Sequence, residues 1–300
     1  MHYVGPLWYN IKMNGYTRYS YLNNRQVNFF KNNLSFHPGN YPNSTYESQG
    51  ITHALNNFGH RSDDFSKETA SDNFLFAGCS FTYGEGIPYE HSWGYELNKQ
   101  LNGNHFYNIS ATGRSFQVIV NEIYQYIKLF GKPKKVFAMF PNVDRDYAIA
   151  FYNDDINGLH YKIDNIGLLG PGGKHFKTDD DFYTIFNYIK IETLFYDFYH
   201  AVSQLEDYLE LLGVPFLWTT WNENLAESLR GEPIFKNYFE LDFNGFGEYR
   251  KENFYPPKSL GKNRKFWLEG ADKPDPHPGI LEHKYFASQF LKKLDEIENT

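Results

Sequence analysis

The sequence predicts an α/β fold, a three-layer sandwich around a mostly parallel sheet of about five strands. Three observations predict it. Short continuous apolar runs at 74–77 and 136–140, and a further strand-like segment at 214–221, suit strands buried on both faces. Helical apolar periodicity lies between them, at 116–130 and again at 182–212. Glycine and proline punctuate the joints, as at Gly78, Gly113, Gly131 and Gly213.

Taken in order, residues 1–54 are rich in Asn and Tyr, weakly periodic, and broken by Pro38, Gly39 and Pro42. Their aromatic content is too high for a disordered tail, so they read as an extension packed on the core of a domain spanning 55–300. Within that domain the run FLFAGCSFTYGEG at 74–86 passes from an apolar strand through Gly78 and Cys79 to Ser80. Gly78 permits a tight bend and close backbone approach. Ser80 then falls just past the carboxyl end of a strand, where open α/β sheets place their ligands. A hydroxyl there is either a nucleophile or a turn cap.

The segment 107–113 ends a second strand on Gly113, and Phe116, Ile119, Val120, Ile123, Ile127 and Phe130 then repeat with helical spacing. A third apolar strand ends at Pro141, Asn142 and Val143. Singly, Gly113 and Asn142 also suit ordinary turns. Residues 147–182 read as an irregular insertion closing on Asp179, Asp180 and Asp181. The run from Gly170 to Lys174 inside it is not a phosphate loop, because Leu168 occupies the first glycine position and His175 follows the lysine. A long helix over 182–212 stops at Gly213 in a C′ role, and the strand at 214–221 follows. Residues 222–270 form a second, aromatic-rich insertion (Phe235, Tyr238, Phe239 and Phe243 among others) placed to roof a site. Last comes a proline-stiffened loop, DKPDPHPG at 272–279, and a helix from about 280.

That loop carries the chemistry a serine nucleophile needs. Pro276 and Pro278 stiffen the backbone on both sides of His277. Asp275 is placed to accept from the ring Nδ1–H and so leave Nε2 as the base, with Asp272 in reserve. The bland alternative is that either aspartate caps the following helix. The Gly113 N–H and the Asn142 amide are candidate oxyanion donors. Cys79 directly follows a buried strand and reads as a small hydrophobe rather than a nucleophile.

Taken together, the order Ser80, Gly113, Asn142, Asp275-x-His277 resembles the SGNH (GDSL-type) hydrolase family, whose four blocks carry those residue types after successive strands. Asn56, Gly59 and Arg61 resemble the N-x-x-G-x-R lead-in of bacterial and viral members. The resemblance covers about residues 55–145 and 270–295, less than half the chain. Three positions depart from the pattern. Cys79 stands where the family has Asp, Phe140 and Pro141 replace the glycine of the third block, and Pro274 lies three before His277 where the family's Asp is commonest.

The resemblance implies a serine esterase. Ser80 would be nucleophile, His277 base and Asp275 orienter, with an oxyanion hole of the Ser80 N–H, the Gly113 N–H and Asn142, and no metal or organic cofactor required. The D-x-H spacing occurs in acetyl-handling branches, which implies a small acyl ester, of a small molecule or a glycan, as substrate. The alternatives are an O-acyltransferase and a non-catalytic glycan-binding or viral structural subunit on the same fold.

Composition excludes several other classes. A net charge of −7 argues against a nucleic-acid binder, which needs a clustered basic face. A single Cys excludes an internal disulfide and a zinc site built mainly of Cys. The first residues lack a basic-then-apolar leader and no apolar run reaches bilayer length, so a soluble chain with no membrane partner is expected, cytoplasmic or carried by another route. Aromatics make up 19% of residues, which suits either a biased codon composition or a glycan surface; no oligomeric state follows.

Overall fold

The computed structural model describes residues 12–13, 16–17, 43–48, 51–143, 145–154, 158–167, 191–243 and 277–299. The first described elements are two short antiparallel pairs, β1 (Lys12–Met13) with β2 (Tyr16–Thr17) and β3 (Thr45–Ser48) with β4 (Ile51–Ala54). Strand β5 (Phe74–Gly78) leads through the one-turn helix α1 (Ser80–Tyr83) and α2 (Trp93–Gln100) to β6 (Tyr107–Asn108). Helix α3 (Phe116–Phe130) leads to β7 (Lys135–Phe140). A hairpin of β8 (Arg145–Asp154) and β9 (Gly158–Gly167) follows, then α4 (Ile191–Leu212), β10 (Phe216–Thr220), α5 (Glu223–Leu229) and α6 (Ile280–Glu298).

Four of these strands form a parallel sheet in the order β10-β7-β5-β6. The chain moves from β5 to one side, to β6, and then returns to β7 on the other. The crevice between the carboxyl ends of β5 and β7 is therefore the topological switch point, where such sheets bind ligands.

Strand side chains alternate between two cores. Leu75, Ala77, Val136, Ala138, Phe140, Phe216 and Trp218 face α3 and α4. Phe74, Phe76, Phe137, Met139 and Leu217 face α2 and α6. Both faces are dry, so the strands read as unbroken apolar runs, and the alternation is invisible in the sequence. The largest fully buried side chains are all aromatic, Trp93, Trp218, Phe76 and Phe137 among them. Each contributes roughly 1.5–3 kcal/mol by leaving water. Core packing thus absorbs much of the aromatic content among the described residues.

The α/β class is as expected, with four parallel strands described where about five were expected. The apolar positions of α3 at 116, 119, 120, 123, 127 and 130 are all buried. Gly213 does end α4, at φ +69°, with Val214 N–H donating to Leu209 O and Gly213 N–H to Glu210 O.

The irregular insertion expected from residue 147 is corrected over 145–167. There β8 and β9 pair residue for residue from Arg145 with Gly167 to Asp154 with Gly158. Strand β2 joins β8, making a second, antiparallel sheet in the order β1-β2-β8-β9. Tyr147, Ile149, Phe151, Tyr161 and Ile163 are strand formers. The residues that read as breakers, Asn153, Asp154 and Gly158, stand at the strand ends. The Gly170–Lys174 run and the acidic run at 179–181 lie outside the described residues.

Candidate active site

Ser80 is the first residue of α1, immediately beyond the carboxyl end of β5, and is only 2% exposed. The turn that puts it there depends on Gly78. A Cβ at that position would lie 2.0 Å from Thr82 Oγ1 and 2.9 Å from Met139 O. Thr82 and Tyr83 donate their N–H groups to Cys79 O, and helix geometry gives the first N–H groups of α1, Ser80's included, no intrahelical acceptor. Gly84, at φ +74°, closes the turn by donating to Ser80 O.

The lead-in segment braces this turn. Asn56 Oδ1 accepts from the N–H groups of Phe58 and His60, and Gly59 takes the left-handed conformation at φ +82° that the bend requires. Arg61 then reaches the loop leaving α1. Its Nη1 donates to Tyr83 O at 3.3 Å and Gly84 O at 2.7 Å, and its Nη2 to Ile87 O at 2.8 Å. Backbone carbonyls thus take up these guanidinium donors. His53 on β4 stacks on Tyr83, centroids 5.7 Å apart. Burial, helped by the Arg61 charge, pushes its imidazole down to about 4.

Gly113 and Asn142 follow the strands on either side of β5. Gly113 lies in the turn after β6 at φ +71°, so its left-handed geometry accounts for the glycine. Next to it Arg114 turns inward, its Nη2 2.7 Å from Glu122 Oε1 on α3, and both side chains are buried. Burial pushes the Glu122 carboxyl up to about 8 against the pull of Arg114. Asn142 is half-buried two residues beyond β7, and Thr220 Oγ1 holds that strand end by donating to Phe140 O. Thus the ends of three adjacent strands carry Gly113, Ser80 and Asn142 along one edge of the sheet.

His277 approaches the same edge from the far end of the chain. It is half-buried, two residues before the Gly279 N-cap of α6, where Glu282 accepts from the Gly279 N–H. The described cap of α6 is Gly279 with Glu282. The imidazole lies edge-on to Phe81, the residue after Ser80, with centroids 5.9 Å apart. Phe81 in turn stacks on Trp221 at 4.4 Å. Asp275 and Asp272 lie outside the described residues.

Several groups at this edge were missed by sequence reasoning. Trp221, one residue past β10, was read only as part of the strand, although a strand's carboxyl end is itself a signal for a site residue. Its Nε1–H donates to Cys79 Sγ at 3.3 Å, and Cys79 is fully buried, in keeping with its reading as a small hydrophobe. Buried His283 on α6 accepts from the Trp93 N–H at 3.0 Å and so ties α6 to the start of α2.

Two of the aromatics expected in the roof, Phe235 and Phe239, fill the cores. Phe235 packs on Trp218 at 5.1 Å and Phe239 on Phe290 at 4.8 Å, both within the cores. Residues 244–270 of that segment lie outside the described residues. A shallow groove of about 530 Å³ beside α5 and α6, lined by Arg230, Glu240 and Lys292 among others, includes none of the candidate site residues.

Among the described residues no cluster of His, Cys, Asp or Glu is placed to hold a metal, and no helix is long and apolar enough to cross a membrane. His60 is buried against Phe65, His91 lies 3.8 Å from Glu96, and His175 is outside the described residues.

No protein-family model and no curated protein matches the chain. Among solved structures it is similar to a protein from Desulfitobacterium hafniense DCB-2 assigned to the G-D-S-L family of lipolytic proteins. The two share 15% identity, with a TM-score of 0.39, over 73% of this chain and 99% of that one.

Proposed function

We propose that this protein is a serine ester hydrolase that removes a small acyl group, such as acetyl, from a carbohydrate or other small alcohol. The observation that carries the reading is the meeting of chain ends. His277, from the last tenth of the sequence, packs on the residue that follows Ser80. The buried Ser80 stands at the sheet's switch point, with Gly113 and Asn142 on the neighbouring strand ends.

In this mechanism the His277 imidazole takes the Ser80 Oγ proton as the oxygen attacks the ester carbonyl. The Ser80 N–H, the Gly113 N–H and the Asn142 side-chain amide receive the developing oxyanion. The tetrahedral intermediate collapses, and the leaving alcohol takes its proton from His277. Water, deprotonated by His277, then attacks the acyl-enzyme and releases the acid and Ser80. Asp275 is assigned the Nδ1–H of His277. Half-buried Phe81 and Trp221 put aromatic side chains, the type that stacks on sugars, beside Ser80 and His277, which favours a glycan ester.

The test is hydrolysis of p-nitrophenyl acetate. Wild type should turn it over, and Ser80→Ala and His277→Ala should each lower kcat by at least about 10³-fold while remaining folded. Wild-type turnover undiminished in Ser80→Ala would refute the mechanism. Absent turnover with polysaccharide binding would replace it with a binding module, and acyl transfer to an added sugar with a transferase.

A further inference from the structure

We propose that Trp221 is a positioning residue. Pinned by Cys79 and stacked on Phe81, it sets the orientation of the His277 imidazole. The catalytic meaning of this inference rests on the hydrolase reading above; its geometry does not.

The contacts run in one line. The Trp221 Nε1–H donates to Cys79 Sγ at 3.3 Å, which fixes one edge of the indole against the joint between β5 and α1. The indole face lies 4.4 Å from Phe81, inclined by only 15°. Phe81 meets the His277 ring edge-on, at 5.9 Å and 62°. Thiol, indole, phenyl and imidazole thus join three segments distant in sequence: the start of α1, the end of β10 and the loop before α6. His277 sits on a loop, so its ring direction depends on what packs against it. A base rotated away from the nucleophile's proton loses its hydrogen-bond geometry.

This wall also gives Cys79 a role. The position is fully buried and has an indole N–H to satisfy. A thiol is a weak acceptor that costs little to bury, whereas a carboxylate there would carry a large desolvation cost. Trp221 and Cys79 are therefore read as a matched pair: indole donor and uncharged acceptor.

The experiment follows the nuclear Overhauser contact between the His277 and Phe81 rings, assigned by its absence in His277→Gln, together with kcat and KM for p-nitrophenyl acetate. Wild type should show the contact. Trp221→Leu should lose it and lower kcat by about 10–100-fold while KM stays within about twofold. Trp221→Phe, which keeps a stacking ring but loses the Nε1–H bond to Cys79, should weaken the contact and the rate less than Trp221→Leu does and to about the same degree as Cys79→Ala. Cys79→Ala should weaken both, and Cys79→Ser, which restores an acceptor, should recover them.

A contact retained in full in Trp221→Leu overturns the proposal, and so does a lost contact with unchanged kcat. If Trp221→Leu does not fold, the two Cys79 variants decide by the same criteria. If wild type hydrolyses no ester yet the contact follows these substitutions, the positioning stands and the hydrolase reading falls.

Discussion

Arg61 and Arg114 are buried to almost the same degree, 2% and 3% exposed, and each braces one side of the Ser80 corner by different means. Arg61 directs its donors to three backbone carbonyls on the loop that leaves α1. Arg114 meets a carboxylate, Glu122, two turns into α3, and so ties the turn that bears Gly113 to that helix. Carbonyl dipoles do not titrate; a carboxylate does. The loop after Ser80 is thus held by carbonyls indifferent to pH, while the turn that bears Gly113 is held by an ionisable partner. Arg61 has its own electrostatic consequence nearby, since its charge adds to burial in keeping His53 neutral.

The largest effect expected from this contrast is at Arg114. Above about pH 8, where the folded Glu122 has released its proton, removing Arg114 leaves that buried charge uncompensated, and Arg114→Met should destabilise the protein by about 3–5 kcal/mol. Adding Glu122→Leu should recover much of that loss, because two apolar groups of similar volume carry no unpaired charge. Urea midpoints of the single and double variants check this. A double variant no more stable than Arg114→Met would show that the pair is not the source of the loss.

Arg61→Ala should cost less, about 1.5–3 kcal/mol, the scale of hydrogen bonds to a charged donor. Arg61→Lys should not rescue it, since an ammonium cannot reproduce the planar fork that reaches carbonyls at positions 83, 84 and 87. If Arg61→Ala proved costlier than Arg114→Met, the contrast between the two braces would be reversed.

These two arginines also mark how far the sequence could be read. Arg61 stands in a recognisable spacing with Asn56 and Gly59, so its importance was visible, but its acceptors were not. Main-chain carbonyls look alike in every sequence, and only the fold places those of 83, 84 and 87 in reach. Arg114 gave no signal, because its contact with Glu122 depends on the turn at Gly113. Local features were legible: the apolar run into Gly78, the periodicity of α3 and the stop at Gly213 each depend on near neighbours along the chain. The wall of Phe81, Trp221 and His277 joins three segments and was out of reach. Phe235 and Phe239 show the opposite error. Their aromatic character was plain, but whether a ring lines a cleft or fills a core is decided by the layer above it, and here the cores take both rings.

The smallest expected effect separates the two braces by pH. Burial, followed by the Arg61 charge, lowers His53 from 6.5 to about 4, so over that interval the unfolded chain binds the proton and the folded one does not. Stability from His53 is therefore present above about 6.5 and lost as pH falls through about 4. Glu122 has the opposite sign. Its folded carboxyl holds a proton up to about 8 while the unfolded one releases it near 4.5. Stability from Glu122 is present below about 4.5 and lost as pH rises through about 8. Urea midpoints measured from pH 4 to 9 should fall at both ends in wild type. His53→Phe should flatten the acid side alone, because the Tyr83 stack survives with an uncharged ring. Glu122→Gln should flatten the neutral-to-alkaline side alone, because an amide can still accept from Arg114 but has no proton to release. Curves that stay parallel to wild type in both variants would show that neither group governs the pH response, and the two braces would then differ in geometry only.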